Sequence, residues 1–195
     1  MLDQVFVKYQ VNTGNRIKVR TAVGAVLIAM AVGLPQLAHL AVGASAGVTW
    51  LPMYFPVILG GIFLGARFSW CVALLSPLVS FWLTTAFAAE PMPAAARLPF
   101  MMAELCVFAV ISGLFSRKVS ENALYSIPAV VLAGILGRAS FLGLVWLFRN
   151  HTVLKTAVVW GQLKTGMIGL LAQFILVPVI TVIAHHFLLG KKQEA

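Results

Sequence analysis

The sequence predicts an all-α membrane protein, a bundle of six transmembrane helices with N- and C-termini in the cytoplasm. Three observations carry that expectation. Of 195 residues, 61% are hydrophobic and 10% are charged, whereas a soluble domain carries about 25% charged residues. Too few polar side chains exist to cover a water-facing surface. The apolar stretches are long enough to span a hydrocarbon core, which takes roughly 20 helical residues. The basic residues gather at the ends of those stretches, the pattern of topology signals.

The first span covers about residues 20–40, and a Gly/Ala/Ser-rich connector, 41–49, follows. The second span covers 50–66 and the third 68–87. A loop over 88–97 holds Glu90-Pro91-Met92-Pro93. The fourth span is 98–116, a polar turn occupies 117–123, and the fifth span is 124–148. After a polar loop, the sixth runs from 157 to 189, long enough to be tilted or to begin outside the membrane. Residues 1–195 read as one integral-membrane domain. The hydrophilic ends, 1–19 and 190–195, are too short to build a core of their own.

The formal charge is +9. In a soluble protein that balance would suggest nucleic acid; here it sets orientation. With the N-terminus inside, the inner side collects Lys8, Arg16, Lys18, Arg20, Arg67, Arg117, Lys118, Lys191 and Lys192. The outer side collects only Arg97, Arg149 and Lys155. No cleavable signal peptide is expected, because about twenty polar or mixed residues precede the first apolar run. Cys71 and Cys106 have neither CxxC nor Cys/His spacing, so neither a disulfide framework nor a zinc site is expected.

Glu104 and Arg138 are opposite charges inside apolar runs. Charge in hydrocarbon is costly and faces a partner or a wet cavity. At 1.5 Å per residue Glu104 lies roughly 9 Å below the outer end of the fourth span, and Arg138 roughly 15 Å below that of the fifth. A short turn joins these spans, so they should be antiparallel neighbours. Lys164 lies roughly 10 Å into the sixth span, which also carries Gln162 and Gln173. Two readings stand. Either the pair only pins two helices while Lys164 snorkels, or the three groups wall an outward-facing cavity for a small solute.

Ala25 and Ala29 form an Ala-x-x-x-Ala step in the first span, extended by Gly33. Such a step lets another helix approach closely, either within this bundle or from a separate subunit. Trp50, Tyr54, Trp82, Trp146 and Trp160 lie near predicted outer ends, as an aromatic belt does. Trp50 and Tyr54, beside the connector, are the better ligand candidates. His39 reads as a helix-end residue. There is no Walker loop, no His-Glu-x-x-His and no Gly-x-Ser-x-Gly, and only five acidic residues. ATP hydrolysis and catalysis are not expected, and no duplicated half suggests an inverted-repeat carrier.

These residues resemble a family: the substrate-binding S components of energy-coupling factor (ECF) transporters, the vitamin-uptake systems of prokaryotes. The likeness rests on Leu51-Pro52-Met53-Tyr54-Phe55-Pro56-Val57-Ile58-Leu59-Gly60-Gly61 and on Leu75-Ser76-Pro77-Leu78. It continues in Pro91-Met92-Pro93 with Met101-Met102-Ala103-Glu104-Leu105, and in Gly137-Arg138. Phe108-Ala109 stands where many relatives have Tyr-Gly, a departure. The resemblance implies six helices around a pocket near the outer face, capped by the loops after the first, third and fifth spans. It implies a tightly bound vitamin or related micronutrient. It also implies docking of Ala25 and Ala29 on a membrane-embedded coupling subunit powered by two separate ATPases, or operation as a solitary component.

The expected function is therefore high-affinity substrate binding for micronutrient uptake, in the cytoplasmic (inner) membrane of a prokaryote. Trp50, Met53, Tyr54, Trp82, Glu104, Arg138 and Lys164 are the expected substrate-site residues. No catalytic residue, cofactor or metal is expected, and no nucleic acid partner; membrane lipids surround the chain. The rivals are a structural or assembly protein without a ligand, a membrane enzyme using Glu104, and a channel.

Overall fold

A backbone in hydrocarbon must satisfy its own hydrogen bonds, and an apolar run does so as a helix. The computed structural model describes residues 1–43, 49–87, 92–152 and 154–189, and every described element is helical. In chain order these are α1 (Leu2–Lys8), α2 (Thr13–Val42), α3 (Tyr54–Leu64), α4 (Ala66–Phe87) and α5 (Leu98–Leu114). There follow α6 (Ser116–Glu121), a 3₁₀ turn (Ala123–Tyr125), α7 (Ser126–Leu147), α8 (Thr156–Thr165) and α9 (Met167–Leu189). Four segments are long and apolar enough to cross a membrane: Thr13–Ala41, Ala66–Phe87, Ala123–Leu147 and Met167–Leu189. The other two apolar helices, α3 and α5, are shorter, at 11 and 17 residues. The chain is a multi-pass membrane protein.

Its dressing fits a lipid solvent. Large apolar side chains such as Leu40, Phe87, Ile175 and Phe187 are exposed, while Ser69, Ser76, Ser112, Glu104 and Gln173 are buried. With lipid outside, apolar burial does not hold helices together; packing and buried hydrogen bonds do. Ser69 Oγ donates to the Ala109 carbonyl at 3.1 Å, tying α4 to α5. Ser116 Oγ donates to the Ile62 carbonyl at 2.7 Å, tying the end of α3 to α6. Helix α5 is central and packs on α3, α4 and α7; α9 packs on α7, and α2 lies against α3 and α4. Only a narrow stripe of α2 is buried, Gly24, Leu27 and Ala31, so most of this long helix faces away from the bundle.

Two expectations change. The sixth predicted span, 157–189, is divided at Gly166 into α8 and α9. The first part carries Gly161, Lys164 and Thr165, too polar for hydrocarbon, and among its described side chains only Val159 is buried. The hydrophilic N-terminal stretch also holds structure. Met1, Leu2 and Phe6 join the main core cluster, and Asp3 pairs with Arg20.

Candidate functional site

The C-terminal ends of α2 and α4 and the N-terminal ends of α3 and α5 meet at one end of the bundle. They enclose a cavity of about 260 Å³, near the lower end of pockets that hold small organic molecules, about 300–1,000 Å³. Helix α2 contributes Pro35 and His39, the segment before α3 contributes Leu51, Pro52 and Met53, and α3 contributes Tyr54. Ser80 comes from α4, Met92, Pro93, Ala94 and Arg97 from the segment before α5, and Met101 from α5. Three prolines and three methionines make most of the wall apolar.

The wall is pinned in place by buried polar contacts. Thr84 Oγ1 accepts from the Met92 amide at 2.7 Å, and Ser80 Oγ donates to the Met92 carbonyl at 2.9 Å. The last turns of α4 therefore hold the segment that carries Arg97. Gln173 Nε2 on α9 donates to the Leu51 carbonyl at 3.0 Å. Leu51 has φ +50°, a left-handed conformation that costs a branched residue energy and persists where contacts enforce it. Gly169 lets α9 come close enough to do so, since a Cβ there would lie 2.4 Å from the Trp50 carbonyl oxygen.

Beneath the cavity lies the predicted ion pair. Glu104, one turn below Met101 on α5, is fully buried. Arg138 Nη1 on α7 lies 2.8 Å from Glu104 Oε1, and the Arg138 side chain is 12% exposed. Oε1 receives no aligned hydrogen bond, so this contact is an ion pair, short in distance but poorly directed. The Tyr54 hydroxyl donates to Glu104 Oε2, and the Arg138 guanidinium sits 4.8 Å from the Tyr54 ring centroid. Tyr54 also meets Phe108 edge to face at 5.1 Å. Gly137 makes room for that ring, because a Cβ there would lie 2.2 Å from a Phe108 ring carbon. One tyrosine thus joins the cavity to the ion pair: its ring forms the floor and its hydroxyl caps the carboxylate.

Of the predicted site residues, Met53 and Tyr54 line the cavity, and Glu104 and Arg138 support it from below without entering the wall. Trp50 is 46% exposed and Trp82 is 76% exposed, both outside the wall. The phase of α4 explains Trp82: Ser76, Ser80 and Thr84 form its buried stripe at four-residue spacing, and Trp82 projects from the opposite side. Lys164 is on α8, exposed, with its Nζ 5.9 Å from the Trp160 ring. The break at Gly166 removes it from the depth expected of it. Glu90 and Pro91 lie outside the described residues, and among those described none of the stretch after α7 lines the cavity. The residues missed were Arg97, His39 and Ser80. Arg97 stood in the sequence as an outer topology charge, yet it faces the cavity.

Two larger hollows, about 540 and 620 Å³, differ in character. One is an apolar groove between α7 and α8 lined by Leu142, Trp146 and Trp160. The other lies at the opposite end of the molecule beside Met1, Arg20 and Arg67.

A membrane bundle of helices closing over a small, mostly apolar chamber above a buried ion pair is the architecture of a solute-binding membrane subunit. The chain belongs to the family of ECF transporter substrate-specific components, whose profile matches residues 9–181. That family is one of transporter subunits and not of enzymes. No curated protein and no solved structure matches the chain.

Proposed function

We propose that this protein is the high-affinity binding subunit for uptake of a vitamin or related micronutrient, and that the chamber bounded by Tyr54, Ser80, Arg97 and Met101 is where the substrate sits. The observation that carries this reading is the chamber itself, built from six parts of the chain and floored by Tyr54, whose hydroxyl caps the fully buried Glu104 beneath it. The whole chain acts as one integral-membrane domain. Six helices cross the membrane, α3 and α5 being short crossings and α8 lying ahead of the sixth. Both termini are cytoplasmic and the chamber opens outward, in accord with the bias of Lys and Arg. The membrane is the inner membrane of a prokaryote.

Energy comes from elsewhere, through a coupling subunit in the membrane and its ATPases, or the chain works as a solitary component. Ala25 and Ala29 are both exposed on α2, and a Cβ at Gly33 would meet nothing within 4 Å. Because this small-residue stripe is turned away from its own bundle, it suits the close approach of a helix from another subunit.

Purification in lipid nanodiscs, followed by mass spectrometry of the released small molecules, tests the proposal. A micronutrient-sized compound recovered near one per protein, rebinding on titration and excluded by Met101→Trp, is the expected result. A protein that retains nothing and binds no vitamin in a broad panel would refute it.

A further inference from the structure

We infer that the substrate of this chamber is an organic acid: an apolar body with one carboxylate or phosphate group that Arg97 binds. The inference rests on the reading of the chamber as a substrate site and adds the chemical class of its occupant.

The charge count points there. Among the described residues, Arg97 is the only one of the wall with a permanent charge, and no carboxylate lines the cavity. Below it, Glu104 is already matched by Arg138. Among the described carboxylates, the one beneath the chamber is thus paired with Arg138, and none is paired with Arg97. Arg97 is half-buried in the wall, where a guanidinium gains from an anionic partner. Of the other described carboxylates, Asp3 pairs with Arg20 and Glu121 with Arg117, at the far end of the bundle; Glu90 and Glu194 lie outside the described residues. Among the described residues Arg97 has a cation–π contact with Phe141, 5.5 Å to the ring centroid, and no anionic partner.

The hydrogen-bond inventory agrees. The hydroxyl protons of Tyr54 and Ser80 are both committed, to Glu104 and to the Met92 carbonyl. Among the described residues, that leaves Arg97 and the imidazole of His39 as the side-chain donors of the wall. The remainder, prolines and methionines, offers shape and polarisable surface to an apolar body. A wall of this kind discriminates by its one charged contact, and a guanidinium binds carboxylate or phosphate in a fork of two donors.

The test uses acid and uncharged forms of the same compound, titrated calorimetrically against the full chain in nanodiscs: nicotinate and nicotinamide, pantothenate and panthenol, biotin and its amide. The expected result is that any pair that binds does so with the acid about 10- to 100-fold tighter, the range of a charge-assisted hydrogen bond. Arg97→Gln, with thermal unfolding checked against the parent, should erase that difference. Equal affinity for both members, or a preference that survives Arg97→Gln, overturns the inference and leaves substrate binding standing. If none of the six binds, the copurified compound decides. An acid lost from Arg97→Gln supports the inference, and a neutral or cationic compound overturns it. A protein that carries and binds nothing overturns the substrate chamber itself, and this inference with it.

Discussion

Replacing Arg138 with glutamine isolates what the ion pair does. Glutamine is shorter and uncharged but still polar, and it leaves Glu104 fully buried without its cationic partner. At the observed 2.8 Å and an effective dielectric near 20, the lost attraction is about 6 kcal/mol. Relaxation of the site reduces this, and removing one partner of a buried pair costs about 3–5 kcal/mol in practice. The assay is the unfolding free energy in mixed micelles for the parent, Arg138→Gln, Glu104→Gln and the double variant. Because the pair is a unit, the double variant should be more stable than the sum of the single losses implies, by about 0.5–3 kcal/mol. An Arg138→Gln protein within about 1 kcal/mol of the parent, or strictly additive losses, would refute the view that this pair fastens α5 to α7.

Other outcomes follow from the same geometry. Tyr54→Phe removes the hydroxyl that caps Glu104 but keeps the ring; a hydrogen bond to a charged group is worth about 1.5–3 kcal/mol, measurable in the same unfolding assay, with substrate affinity reduced because the floor loosens. Gly137→Leu drives a side chain into the Phe108 ring and should cost about 1–3 kcal/mol or more, as overpacking does. Trp82→Ala should leave binding unchanged on titration, since that indole faces away from the chamber. Ala29→Phe should keep full substrate affinity yet abolish copurification with a coupling subunit; retained assembly would remove the α2 stripe from that role.

What the sequence made legible follows from cost. An isolated glutamate and an isolated arginine in apolar runs are rare because hydrocarbon penalises them, so their pairing was readable before any coordinates. So was the neighbouring of α5 and α7, because a short polar turn leaves little alternative. The multi-pass helical class followed from composition alone. Features set by helix phase and by long-range contacts were not readable. Trp82 has the right depth for a ligand contact and the wrong side of its helix. Lys164 sat in a continuous apolar run that breaks only because Gly166 and the polar residues before it turn the chain. Arg97 reads as a topology charge until α4, through Ser80 and Thr84, pins its segment over the cavity. The Tyr54–Glu104 bond joins residues fifty apart, and no local pattern announces it.

The most direct check is an experimental structure of the protein in lipid with its copurified compound bound. The account predicts density for that compound between Tyr54, Ser80 and Arg97, with Glu104 and Arg138 still joined beneath the tyrosine. A compound inserted between Glu104 and Arg138, or seated in the groove between α7 and α8, would contradict it.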